Sequence, residues 1–203
     1  VKTLRTAAGV VGAVAAAWVS APGCGDDAPV PPGGSYWPAT DGTRWLMEGR
    51  WQDLSGHNQG GATTVETYIA GTDYDSQGRP VKVWVSSETD GRYFFRVDAG
   101  EVWANWAETD PKAEYYLWLK LPPEDGQSWE DEKYRVAVSG PFHLGVPFGD
   151  FDGVYRVRYD YVEEPGHYEV WWYAAGVGCI EYEHYIPDIK HELLWLVDFT
   201  AGA

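Results

Sequence analysis

The sequence predicts an all-β fold, an antiparallel meander of about ten or eleven strands curled into a barrel, half-barrel or sandwich. Three observations predict it. From Thr43 onward, apolar and polar residues alternate with a period of two, the pattern of strands with one dry face. Turn-forming residues punctuate these runs at short intervals, and short connections favour antiparallel neighbours. Beyond the N-terminal leader, no segment carries a 3.6-residue apolar period with helix caps.

The strand series opens with Trp45 to Trp51 and Thr63 to Ile69. In the third run Val81, Val83 and Val85 alternate with Lys82, Trp84 and Ser86; in the fourth, Tyr93, Phe95 and Val97 alternate with Arg92, Phe94, Arg96 and Asp98. Glu101 to Trp106 and Tyr115 to Leu121 follow. Tyr134, Val136 and Val138 then oppose Lys133, Arg135 and Ala137, and Tyr155, Val157, Tyr159 and Tyr161 oppose Arg156, Arg158 and Asp160. Tyr168 to Tyr173, Ile180 to Tyr185 and Leu193 to Phe199 complete the set. Turns are expected at Thr89-Asp90-Gly91, Ala99-Gly100, Glu124-Asp125-Gly126, Asp152-Gly153 and Pro165-Gly166. Trp118, Trp171, Leu194 and Leu196 put bulk on the second face of their strands, where they meet another layer or line an open groove.

Ahead of this domain, expected over residues 36–203, lie two segments of different character. Residues 1–23 read as an export signal: Lys2 and Arg5 precede an apolar, small-residue run from Ala7 to Val19, too short to span a bilayer. Ala21-Pro22-Gly23-Cys24 resembles a bacterial lipobox, with Cys24 as the acylated residue. Cutting there avoids placing Pro22 directly after the cleaved bond, where its locked φ and missing N–H make a poor substrate. Acylation would hold the chain on a membrane, since each buried CH₂ contributes about 0.8 kcal/mol. Residues 24–35, rich in Pro, Gly and Asp, read as a disordered tether.

The chain carries 15 basic and 31 acidic residues; losing Lys2 and Arg5 with the leader takes the net charge from −16 to −18. Such a surface repels nucleic acid and anionic headgroups. With 12 Trp, 14 Tyr and 6 Phe, the rings either fill a wide β interior or line a cleft for a sugar, a lipid or a peptide. Cys179, the only other cysteine, reads as a small buried apolar residue, since a disulfide framework is excluded.

No nucleophile elbow, H-E-x-x-H pair or phosphate loop is present. His57, His143, His167, His184 and His191 lack ligand spacing, although His184 and His191 could meet across a hairpin. Asp73-Tyr74-Asp75-Ser76-Gln77-Gly78 begins like a calcium loop but has Trp84 where the bidentate Glu belongs. Gly149 to Gly153 reads as a tight turn needing no ion. Glu181 and Glu183 share the outward face of one strand, where Arg156 or Arg158 would neutralise them. No catalytic residue, metal ligand or cofactor is therefore assigned.

Two longer segments carry a resemblance. Tyr36-Trp-Pro-Ala-Thr-Asp-Gly-Thr-Arg-Trp45 and Trp172-Tyr173-Ala-Ala-Gly176-Val177-Gly178 resemble the opening and closing patterns of a group of mostly uncharacterised bacterial envelope lipoproteins. The resemblance implies an all-β lipoprotein domain and brings no catalytic residues. Gly176 and Gly178 are expected to permit a bulge or a close backbone approach. The expectation for function is an envelope lipoprotein, outer-membrane or periplasm-facing, whose non-catalytic β domain binds an unknown ligand or partner. Alternatives are a structural surface lipoprotein, a half-barrel lipid or lipoprotein carrier, and a polysaccharide hydrolase with two carboxylates facing across a cleft.

Overall fold

The period-two alternation resolves into a single twelve-stranded sheet in the computed structural model, which describes residues 35–52, 58–87, 89, 91–106, 110–187 and 189–203. The strands are β1 (Arg44–Gln52), β2 (Asn58–Tyr74), β3 (Pro80–Ser86), β4 (Arg92–Asp98), β5 (Glu101–Asn105), β6 (Tyr116–Lys120), β7 (Ser128–Glu130), β8 (Tyr134–Val146), β9 (Gly149–Tyr161), β10 (Tyr168–Ala174), β11 (Gly178–Ile186) and β12 (Ile189–Thr200). All pairs are antiparallel, and no helix occurs among the described residues.

The strand order, β6-β5-β4-β3-β2-β1-β12-β11-β10-β9-β8-β7, is a meander whose first and last strands meet in the middle. β1 pairs with β12 from Arg44↔Thr200 to Trp51↔Glu192. The open seam lies between β6 and β7, which are neighbours in the chain. Side chains span it. The Trp129 indole N–H of β7 donates to the Leu117 carbonyl of β6 at 2.9 Å, and Lys120 lies over the Trp129 ring.

Trp118 of β6 projects inward from this seam and is 1% exposed. It stacks on Tyr159 with ring centroids 4.0 Å apart, its indole N–H donates to the Tyr173 hydroxyl at 3.0 Å, and its carbonyl accepts from the Tyr159 hydroxyl at 2.7 Å. One residue thus ties an edge strand to β9 and β10. Its neighbours in the core include Tyr134, Val136, Val157 and Leu119.

A plug precedes β1. Trp37 is buried against Phe95, Trp84 and Tyr173, and the Tyr36 hydroxyl donates to the Gly153 carbonyl at 3.0 Å. The plug rests on the β10–β11 turn: the Gly176 N–H donates to the Ser35 carbonyl, and the Trp45 indole donates to the Val177 carbonyl at 2.6 Å. Gly178 has φ +88°, and a Cβ there would sit 3.0 Å from Pro38. The opening and closing motifs of the sequence therefore pack on each other. The close approach at Gly178 is to the plug as much as to a neighbouring strand.

Three local differences have physical causes. β7 adds a twelfth strand; its three residues are too few to display a period. The β8–β9 hairpin turns at Pro147 and Phe148, so Gly149 to Gly153 lies inside β9 and is not the expected turn. Register shifts between Ser139 and Phe142, and between Phe142 and Leu144, let both strands run on past that glycine-rich stretch. In β3 both faces are used: Val81 and Val83 pack with Phe94 in a small convex cluster, while Trp84 joins the main core.

Replacing Trp118 with Ala should cost about 3–5 kcal/mol, the usual range for emptying a buried tryptophan site. Urea unfolding followed by far-UV circular dichroism measures it, and a loss below about 1 kcal/mol would remove Trp118 from this role.

Candidate functional site

Register places two rows of side chains on the concave face. Glu169 of β10 pairs with Tyr159 of β9 and His184 of β11, and His184 pairs with Glu192 of β12. Two residues along, Trp171 lies beside Val157 and Tyr182, and Tyr182 beside Leu194. The polar row and the aromatic row border a cleft of about 370 Å³ whose far wall comes from Trp84 of β3 and Trp106 after β5. This volume falls at the lower end of ordinary ligand sites, about 300–1,000 Å³.

The aromatic walls are in mutual contact. Ring centroids of Trp84 and Trp106 lie 6.0 Å apart, those of Trp84 and Trp171 6.1 Å, and those of Trp106 and Trp171 6.5 Å. Tyr182 packs edge-on against Trp171 at 4.8 Å, and Tyr93 against Trp106 at 5.1 Å. The indole nitrogens of Trp84 and Trp106 have no hydrogen-bond partner.

Two carboxylates line the same space. Glu169 accepts from the Tyr161 hydroxyl through Oε1 and from the Trp171 indole N–H through Oε2 at 2.8 Å. Glu192 is 3% exposed. Because β11 separates β10 from β12, the two acids stand two strands apart, with His184 between them. Lys133 adds a cation to the lining, with its Nζ over the Tyr116 and Tyr134 rings.

A histidine pair adjoins the polar row. His167 Nδ1 lies 2.5 Å from Glu164 Oε2, its Nε2 lies 2.6 Å from His184 Nε2, and its ring stacks on Tyr161. Only one proton fits between those two Nε2 atoms, so at least one of them is unprotonated. The sequence leaves open a meeting of His184 with His191 across a hairpin; the structure brings His184 to His167, and the His191 side chain and His57 lie outside the described residues. His143 pairs instead with exposed Asp152 at 2.8 Å. Among the described residues, no group of three or more His, Cys, Asp or Glu could hold a metal.

Other candidates have structural partners. Asp75 Oδ1 accepts from the Gln77 and Arg79 main-chain N–H groups, and Oδ2 takes the Arg79 guanidinium at 2.7 Å. Burial works to raise its pKa, but the Arg79 contacts outweigh this and hold the carboxyl below its ordinary range. Arg96 lies 3.7 Å away, held between the Trp103 and Tyr115 rings. The loop that begins like a calcium site is thus an arginine-clamped turn. Glu183 accepts from the Trp172 indole at 3.0 Å and the Tyr185 hydroxyl at 2.5 Å, while Arg158 pairs with Asp160 and Arg156 lies over Trp172. Tyr173 is fully buried, and Cys179 is buried with its thiol pushed up by burial. Cys24 lies outside the described residues.

Sequence reasoning missed Glu169, Glu192, Trp84 and Trp106 as a group. The available signal was an acid alternating with aromatic residues in Glu169, Trp171 and Tyr173. Nothing local reveals that Trp84, far away in the chain, faces them.

No protein-family model matches the chain, and no curated protein matches it. Two solved structures are similar. A protein of Parabacteroides distasonis, provisionally described as a lipoprotein, is 15% identical, with 83% of this chain and 99% of that one covered at a TM-score of 0.48. A protein of Bacteroides fragilis, provisionally described as exported and having a YmcC-like fold, is 13% identical, with 82% and 99% covered at a TM-score of 0.48.

Burial, and then the charge of Glu169, raises the phenols of Tyr134 and Tyr161; burial also takes Tyr159 and Tyr173 well above 10. A raised folded-state pKa means that the stabilisation is complete below the ordinary phenol range and is lost as pH rises through and beyond it. Tyrosinate absorbance should therefore show these four ionising only together with alkaline unfolding. Their ionisation near pH 10 in a folded protein would contradict the burial.

Proposed function

We propose that the protein is an exported bacterial envelope lipoprotein, anchored through Cys24, whose concave face holds a small apolar or amphipathic ligand without transforming it. The observation that carries this reading is the cleft itself: about 370 Å³ lined in part by three mutually packed tryptophans beside a hydrogen-bonded carboxylate. Such a site offers a large flat apolar area at low entropic cost and a few polar groups to orient what enters. Both oxygens of Glu169 are engaged by Tyr161 and Trp171, an orienting use of the acid, so binding accounts for the geometry better than hydrolysis does.

The anchor is tested by mass spectrometry of the N-terminal peptide from protein extracted from membranes. The expected species begins at Cys24 and carries acyl chains; an intact leader or an unmodified terminus counts against it. The cleft is tested with N-phenylnaphthylamine, a neutral apolar dye that brightens in dry sites. It should bind the full chain in lipid-free solution, and Trp106→Ala should weaken binding about tenfold, the equivalent of about 1.4 kcal/mol. A dye that stays dark favours the structural surface-protein reading.

A further inference from the structure

We infer that the cleft selects ligands bearing a small organic cation, an ammonium group with apolar substituents, seated on the faces of Trp84, Trp106 and Trp171 beside Glu169. This rests on the cleft being a ligand site and names the chemistry of its occupant.

Cations bind the faces of indole rings through the ring quadrupole, most strongly where the group is desolvated. Alkyl substituents on nitrogen reduce the cost of leaving water and add contact area, so an alkylated ammonium suits three tryptophans better than a bare one. The anionic partner is built into the wall. Trp171 donates its indole N–H to Glu169 at 2.8 Å, so a group resting on that ring lies within a few ångströms of the carboxylate. The two donors to Glu169, a phenol and an indole, are neutral, so its charge is hydrogen-bonded but not cancelled by them. Its charge is felt locally, where it helps to raise the phenol of its hydrogen-bond donor Tyr161 and that of the neighbouring Tyr134. Glu192 adds a second acid to the same wall.

The same chemistry occurs within the chain. Lys133 Nζ lies 5.1 Å from the Tyr134 ring centroid and 5.4 Å from that of Tyr116. The strongly acidic surface, with a net charge of −16 for the whole chain, would draw a cation in and disfavour an anion.

The test compares choline with its neutral carbon isostere, in which carbon replaces the quaternary nitrogen, by tryptophan fluorescence titration of the full chain in detergent. Choline should bind at least tenfold more tightly, and its advantage should shrink as salt is raised. Glu169→Gln should cut the ratio of choline affinity to isostere affinity about tenfold. Because these comparisons begin with the unaltered protein, a misfolded variant cannot decide the outcome. Equal affinity for the two molecules overturns the cation inference while leaving the apolar cleft intact. Binding of neither, with N-phenylnaphthylamine also excluded, overturns the ligand site itself. Binding of the dye but of neither small molecule overturns the cation inference alone.

Discussion

The missing strand pair between β6 and β7 is the constraint from which the rest of the architecture follows. Every other pair of consecutive strands is hydrogen-bonded, and β1 with β12 completes the circle, so the sheet is one pairing short of a closed barrel. An open seam leaves two edges with unpaired main-chain groups, a template for aggregation. This chain keeps both edges short, five residues in β6 and three in β7. It answers the open main chain with side chains: carbonyls of Leu117 and Trp118 accept from Trp129 and Tyr159. Trp118 adds an indole N–H donated to the Tyr173 hydroxyl.

The same geometry accounts for the aromatic content. About eight strands enclose an interior that ordinary side chains fill. Twelve strands curl around more space than valine and leucine can occupy, and no helix among the described residues enters it. The volume is taken up by tryptophan and tyrosine rings in edge contact and by the Trp37 plug, which the β10–β11 turn supports through Gly176, Val177 and Gly178. What remains beside Trp84, Trp106 and Trp171 is the cleft.

The strands were legible because alternation is local: Val136, Tyr159 and Ile180 are dry for the reason their spacing suggests. The candidate site was not, because it depends on which distant strands face each other. Trp84 reads as the solvent side of a strand whose valines look like core. Both faces are in fact used, since curvature puts Trp84 inside and Tyr115 covers the valines outside. Asp152-Gly153 reads as a turn on composition, yet the hairpin reverses at Pro147 and Phe148, because an extra residue in β8 and then one in β9, at Asp152-Gly153 itself, offset each other and let the pairing continue. His167 and His184 come together through a register across β10 and β11 that neither residue's surroundings announce.

Glu169 separates a cleft from a packing defect. Burying a carboxylate is costly unless its oxygens are hydrogen-bonded, and an interior that needed only filling would gain from an apolar residue there. Here the acid accepts from Tyr161 and Trp171 and fixes the tilt of Trp171, whose ring forms one wall. Backed by Tyr182, Trp171 packs on Trp84 and Trp106, so the three tryptophans form one continuous wall. A wall whose rings are held by a hydrogen-bonded carboxylate and by one another is preformed, and preformation lowers the ordering cost that a binding partner would otherwise meet.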